Sequence, residues 1–322
     1  MKKNFLLGFI AFAAMAVTSC TNDEINEFIP QDQAIEFSTY VGRDAQSRGV
    51  ETDLDYLKLA EKGFNIFGYL YTSTPGYNAD PITGPNFFTG EKVTFQSSEW
   101  NYGPKKFWPK ETTVKIDFLA YGPSGVGTVE NGVLTFNMVN DTDASKQIDL
   151  VVAEAELEQT STTGRPQGTV AFNFKHMLSR LGFAIEVEGA ESATVTSVTF
   201  ASSMNTSCTV DMKKDGSSGN NLTTIPTGGA ADKSYNLTIS GENKYMFIVP
   251  QTLASASVTI NYEVTYPGSI TTTGTATGSL PANSVFAQGT AYQIKATVTG
   301  NAIVFTASVA PWSDPETPVT VQ

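Results

Sequence analysis

The stretch Val258–Val264, with the sequence VTINYEV, carries the pattern that decides the fold of this 322-residue chain. Its first, third, fifth and seventh residues are apolar, and the residues between them are polar. Side chains two apart point to the same face of a β-strand, so the alternation predicts a strand with one buried face. The same alternation recurs along the chain in Ile35–Val41, Val170–Phe174, Phe183–Val187 and Ile303–Val309.

More continuous apolar runs predict strands in the centre of a sheet, namely Phe64–Tyr71, Ile116–Tyr121, Gln147–Ala153 and Tyr245–Val249. No long helical period is present, and only Asp53–Ala60 suggests a short helix. Roughly a dozen strands or more are too many for one small sandwich. The sequence therefore predicts an all-β protein with two β-sandwiches in series.

The boundary between these sandwiches is predicted near residue 168. The segment Gln159–Gly168 is rich in Thr, Ser, Gly and Pro, which is typical of a linker. This placement gives an N-terminal sandwich over 34–167 and a C-terminal sandwich over 168–322.

The chain begins like an exported lipoprotein. Two lysines precede the apolar run Phe5–Val17, which is too short for a membrane span of about 20 residues and is followed by small residues. Cys20 comes directly after them, in the lipobox arrangement. We expect a signal peptide over 1–19, cleavage between Ser19 and Cys20, lipid on Cys20, and a polar tether over 20–33. A buried N-terminal helix is the alternative.

Charge and cysteine content narrow the classes of partner. The formal net charge is −12, and removal of residues 1–19 takes away two lysines and no acids, which gives −14. An acidic surface argues against nucleic acid, so we expect membrane attachment through lipid alone. With Cys20 lipidated, Cys208 has no partner for a disulfide and is expected to be a buried thiol.

No pattern of catalytic or metal-binding residues is evident. His176 is the single histidine, and the chain has neither a G-x-S-x-G motif nor a Cys/His cluster. The acid pairs Asp141/Asp143 and Asp314/Glu316 are typical of solvated turns, although sequence leaves open a pair at glycosidase distance. We therefore predict no enzyme, no metal and no cofactor.

Six aromatic residues of the loop-rich stretch Pro85–Pro109 are candidates for a binding surface, namely Phe87, Phe88, Trp100, Tyr102, Phe107 and Trp108. Exposed aromatics can stack on sugars, which would make the protein a surface-anchored, glycan-binding lipoprotein that uses Trp100–Trp108. Alternatively, these rings fill one end of a sandwich core.

Several motifs, in this order, together resemble the fimbrillin family, the pilin-like lipoproteins of Bacteroidetes that form type V pili. Phe172–Leu181 (FNFKHMLSRL) is similar to the family's F-x-F-x-H-x-L-S-R-L core. Further similar segments are Lys106–Pro109, Phe247–Gln251, and Gly289–Ile294 followed by Ile303–Val309 and Pro311-Trp312. Asp23 and Glu24 also resemble the surface-export signal of such lipoproteins.

This resemblance implies two tandem transthyretin-like Greek-key sandwiches and a structural, adhesive role in cell-surface fimbriae. It places the protein at the outer membrane, exposed on the surface and in the fimbrium. The implied partners are other fimbrial subunits, with a host or bacterial surface ligand in addition. Whether the subunit forms the stalk, the tip or the anchor stays open.

The resemblance also implies cleavage by an arginine-specific protease that removes the first strand. By this resemblance, we place the cleavage site between Arg48 and Gly49, with Arg43 as the second choice. The alternative is that Arg48 lies in a loop that is not cleaved. The displaced strand would carry Ile35, Phe37, Thr39 and Val41 on one face, and a strand from another subunit would refill the groove. Ile303–Gln322 is a candidate donor, although Pro311, Pro315 and Pro318 interrupt ladder pairing.

Overall fold

The alternating sequence folds almost entirely into strands, so the all-β prediction is confirmed. The computed structural model describes residues 33–41, 54–59, 61–72, 84–111, 113–138, 146–163, 168–213, 221–228, 231–238, 245–300 and 302–311. Within these ranges the only α-helix is α1, Leu54–Lys58. No helix in these parts of the chain has the length and apolar character needed to cross a membrane. Ser19, Cys20, Arg43, Arg48 and Gly49 lie outside the described residues.

The strands are numbered here in chain order. The first ten are β1 (Glu36–Val41), β2 (Phe64–Tyr71), β3 (Phe88–Gln96), β4 (Glu99–Asn101), β5 (Lys115–Gly122), β6 (Gly127–Glu130), β7 (Val133–Asn137), β8 (Val151–Ala153), β9 (Glu156–Gln159) and β10 (Thr169–His176). The others are β11 (Ser179–Val187), β12 (Ser192–Met204), β13 (Ser207–Asp211), β14 (Thr224–Thr227), β15 (Ala231–Thr238), β16 (Tyr245–Ile248), β17 (Gln251–Leu253), β18 (Ser257–Tyr266), β19 (Ile270–Ser279), β20 (Ser284–Phe286), β21 (Thr290–Thr299) and β22 (Ala302–Pro311).

These strands form four main sheets. The largest has eight strands in the order β1-β10-β8-β5-β2-β3-β4, with β9 paired to β5. The three four-stranded sheets have the orders β14-β13-β7-β6, β16-β11-β21-β22 and β15-β12-β18-β19, and β17 pairs with β20.

The central strands of the eight-stranded sheet are buried on both faces, which explains their continuous apolar runs. In β5, Phe118 and Ala120 point into one core, whereas Leu119 and Tyr121 point into another core shared with the sheet β14-β13-β7-β6. A fully covered strand needs apolar side chains in both directions, so it loses the alternation. The prediction of central strands is thus confirmed for β2, β5 and β8.

The prediction of a central strand was wrong for Tyr245–Val249. Its strand, β16, lies at the end of the sheet β16-β11-β21-β22. It is apolar because Met246 faces one core and Phe247 faces another. A buried edge strand and a central strand therefore have the same sequence pattern.

The sheets β16-β11-β21-β22 and β15-β12-β18-β19 enclose a third core. The VTINYEV stretch lies in β18, where all four of its alternating apolar side chains are buried. This confirms the face that the sequence assigns to them.

Strands from the two sides of residue 168 share sheets. β10 pairs with β1 and β8, and β13 pairs with β7. The division at 167/168 and the Greek-key topology of each half remain predictions.

The structure shows the surroundings of His176 and Cys208, the single histidine and the second cysteine of the chain. The Nδ1 atom of His176, at the end of β10, lies 2.8 Å from Oδ2 of the buried Asp149. Cys208 is a buried free cysteine in β13, and burial raises the pKa of its thiol to about 12. The position of Cys208 agrees with the buried thiol expected from the sequence.

Candidate functional site

The strand β1 occupies a groove between two other segments of the chain. Along one side it pairs in parallel with β10, from Glu36 opposite Thr169 to Val41 opposite Phe174. Along the other side, the pairing that the described residues show is limited to its beginning, where Ala34 forms an antiparallel bridge with Phe107. β1 is therefore the end strand of the sheet, and its first residues are held on both sides.

We call the second partner, Tyr102–Trp108, the clasp. The Ile35 N–H donates to the Lys106 carbonyl (2.9 Å), and the Trp108 N–H donates to the Gln33 carbonyl (3.0 Å). The Tyr102 hydroxyl donates to the Ile35 carbonyl (2.9 Å). These three bonds act on main-chain atoms of residues 33 and 35, so they fix the position of the strand along the groove.

Side chains attach the clasp to the rest of the domain. The Lys106 ammonium pairs with Glu91 of β3 at 2.5 Å and lies 4.4 Å from the centre of the Phe88 ring. The Trp108 indole N–H donates to the Gly168 carbonyl (3.0 Å), just before β10. The clasp is thereby attached both to β3 and to the residue that precedes β10.

The inner face of β1 supplies two anchors to the core. Ile35 is 0% exposed and Phe37 is 5% exposed. The Phe37 ring lies among five other rings at centroid distances of 5.4–6.5 Å, which belong to Phe64, Phe88, Tyr102, Phe118 and Phe172. We call these five rings the aromatic box. Because β1 fills its centre, removal of the strand would expose it.

The third position of the same face, residue 39, is less well matched. Thr39 is half-buried opposite Phe172, and its buried Oγ1 atom has no hydrogen-bond partner in the described structure. Val41 pairs in register with Phe174. Among the described side chains of this face, Ile35 and Phe37 are the buried apolar ones.

The aromatic stretch Pro85–Pro109 belongs mainly to this core. Four of the six candidate rings are buried, namely Phe88, Trp100, Tyr102 and Trp108. Phe87 packs against the same core, and Phe107 is 48% exposed. The structure thus gives these residues the core role, and they do not form the exposed platform that glycan stacking requires.

Sequence reasoning did not identify Tyr102 and Lys106 as contacts of β1. In the sequence, the Lys-Phe-Trp-Pro motif contributes only to the family resemblance. Its alternation of a buried Trp108 with an exposed Phe107 is nevertheless typical of a short strand. A polar hydroxyl that bonds a distant main chain leaves no local signal in the sequence.

A second concave region lies where β10 ends. It has a volume of about 370 Å³ and is lined by residues that include Glu154, Lys175, His176, Asn221 and Gln288. The described part of the chain contains no group of three or more His, Cys, Asp or Glu residues that could hold a metal ion.

The comparison with known proteins agrees with this β-rich architecture. The profile of fimbrillin-like proteins matches residues 59–312, which is most of the chain. The chain belongs to the fimbrillin-like family.

A curated relative of this fimbrillin-like chain is the fimbrium subunit Fim1C of Phocaeicola vulgatus. The two are 31% identical over 189 residues, which is 53% of this chain and 48% of the relative. The chain therefore matches about half the length of that relative.

Solved structures support the fold of the fimbrillin-like chain. A fimbrial protein from Bacteroides vulgatus superposes with a TM-score of 0.63 at 20% identity, covering 87% of this chain and 100% of that one. A protein from Bacteroides ovatus with a proposed cell-adhesion role gives a TM-score of 0.56 at 14% identity, covering 87% and 98%. At these identities the likeness concerns the fold alone.

Proposed function

We propose that this fimbrillin-like protein is a non-enzymatic structural and adhesive subunit of a cell-surface fimbrium. It would be exported as a lipoprotein with lipid on Cys20, which holds it at the outer membrane until its first strand is removed. Strand exchange would then join it to other fimbrial subunits. The observation that carries the proposal is the groove of β1, in which one end strand fills an aromatic box.

Loss of β1 would create a strong binding site for another strand. It would expose the apolar surface under Ile35 and Phe37, whose burial is worth about 3–5 kcal/mol as an upper estimate. It would also leave the main-chain groups of β10 that face β1 unpaired. An added strand satisfies these groups by hydrogen bonding, and its alternate side chains select the register. The resident strand thus protects the groove until another subunit arrives.

The positions of the arginines are compatible with removal of β1 by one cut. Arg43 and Arg48 follow the last residue of β1, so cleavage at either position would separate this strand from β2 and the rest of the chain. Arg180, in contrast, is only 3% exposed in β11 and is protected from a protease. We therefore retain Arg48, with Gly49 as the new N-terminus, as the first choice and Arg43 as the second.

Mass spectrometry of the protein from its native cell surface tests this proposal. We expect assembled fimbriae to contain chains that start at Gly49 and no longer contain Cys20. The variant Arg48→Ala should remain lipidated and unassembled, whereas the matched variant Arg165→Ala should be processed normally. Fimbriae built from chains that retain lipid on Cys20 and an intact Arg48–Gly49 bond would overturn removal of the strand at this site.

A further inference from the structure

The groove of β1 selects its occupant at three alternate positions, and we propose that residue 39 is the position at which an incoming strand outcompetes the resident one. The resident Thr39 makes β1 replaceable by a strand with an aliphatic residue, an aromatic residue and a small apolar residue at alternate positions. This inference rests on the proposed function, because it concerns the choice of strand during exchange.

The residues that line the groove determine which side chains an occupant needs at the first two of these three positions. Any occupant needs an aliphatic side chain where Ile35 is fully buried, and a ring where Phe37 meets the aromatic box. The clasp bonds the N–H and the carbonyl of residue 35, so proline is excluded there and the register is fixed.

The third position is where the resident strand fits poorly. The Thr39 hydroxyl is buried and makes no hydrogen bond to any described residue. A polar group that leaves water without finding a partner weakens the interaction that buries it. A strand with alanine or valine at this position lacks the penalty and should bind about tenfold more tightly.

The chain itself contains a segment with the required pattern. Ala302–Val309 (AIVFTASV) and Ala34–Val41 (AIEFSTYV) share four of eight residues, which are Ala, Ile, Phe and Val at equivalent places. Aligned on these residues, Ala307 takes the place of Thr39. The segment in β22 of a second copy is therefore the occupant that the groove fits.

The present environment of β22 favours such a transfer. β22 is the end strand of its sheet, and Ile303 is 45% exposed there, whereas the equivalent Ile35 is 0% exposed in the groove. An incoming Ile303 would therefore gain burial, and Phe305 would enter the aromatic box.

Strand competition in the full mature chain tests the inference. Residues 44–49 are replaced by the recognition sequence of a site-specific protease, so that release of β1 does not depend on Arg48. After cleavage, labelled peptides of residues 33–41 and 301–309 compete for the groove, and fluorescence anisotropy reports binding. We expect the 301–309 peptide to displace the resident strand at about tenfold lower concentration than the 33–41 peptide.

Two hydroxyl changes make the test specific. Thr39→Val in the resident strand should remove the tenfold advantage, and Ala307→Thr in the 301–309 peptide should do the same. Thr306→Val in that peptide is the matched control, since position 306 corresponds to Ser38 on the outer face, and it should leave the advantage unchanged. Thermal unfolding of the uncut Thr39→Val chain checks that the variant folds.

The possible failures are distinguishable. If neither peptide enters the cleaved chain, strand exchange and with it the proposed function are overturned. If both peptides enter with equal affinity, or if the Thr39→Val variant keeps the difference, exchange stands and the role of residue 39 is overturned.

Discussion

Glu156 is expected to make the stability of this protein depend on pH. Burial, and then the neighbouring charge of Glu154, raise the pKa of the Glu156 carboxyl from about 4.5 to about 7. The folded state thus favours the protonated form. Its contribution to stability is complete below about pH 4.5 and is lost as the pH rises through about 7. We expect the melting temperature, followed by circular dichroism, to fall between pH 5 and pH 8.

The variant Glu156→Gln should melt at a higher temperature than the parent at pH 8 and should show a weaker pH dependence. Glu130→Gln, an equal change of charge at an exposed site in β6, is the control and should keep the parental slope. A parental slope in Glu156→Gln would contradict the assignment.

Phe37 is expected to be the residue of β1 that contributes most to stability. Its ring meets all five rings of the aromatic box, so Phe37→Ala removes these contacts and leaves a cavity. Such losses cost about 3–5 kcal/mol in the free energy of unfolding. In the same strand Tyr40 is 47% exposed, and Tyr40→Ala should cost under about 0.5 kcal/mol. Denaturant unfolding of both variants measures the difference, and equal losses would show that β1 is not anchored by Phe37.

At the scale of the element, the sequence predicted which face of a strand is buried better than it predicted which strands pair. The alternation in VTINYEV assigned the inner face of β18 correctly, because that face depends only on the period of the chain. The strand β16 pairs with residues of β11 that are more than 60 positions away, and β1 pairs with residues of β10 that are more than 130 positions away. A local pattern contains no such information. The clasp was missed for the same reason, because Tyr102 and Ile35 are 67 residues apart.

The packing of β22 against β19 includes a close contact between the Phe305 ring and Gly278. A Cβ atom at Gly278 of β19 would overlap the ring of Phe305, so Gly278→Ala should push this ring away and loosen β22. We expect the amide protons of β22 to exchange faster with solvent in this variant, as measured by hydrogen–deuterium exchange with mass spectrometry. Thr273→Ala, an exposed change in the same strand, should leave the exchange as it is. Unchanged protection of β22 in Gly278→Ala would mean that the Phe305 contact does not hold the strand.

At the scale of the whole molecule, the two halves of the sequence depend on one another. β10 completes the sheet of β1 and β8, and β13 completes the sheet of β7. The packing follows the pairing, because Leu134 and Phe136 of β7 share a core with Cys208 and Val210 of β13. Both sheets that cover this core therefore take strands from each side of residue 168.

This arrangement predicts that the fragment 34–167 does not fold alone. Without β10, the main chain of β1 loses its parallel partner, and without β13, β7 keeps only β6 beside it. We expect the fragment to show no cooperative thermal transition, whereas the fragments 34–167 and 168–322 expressed together should restore one by completing the sheets. Circular dichroism and calorimetry measure the transitions, with the full mature chain as control. A sharp transition of 34–167 alone would instead make residue 168 a true domain boundary, and the shared strands would then be a contact between two independently stable sandwiches.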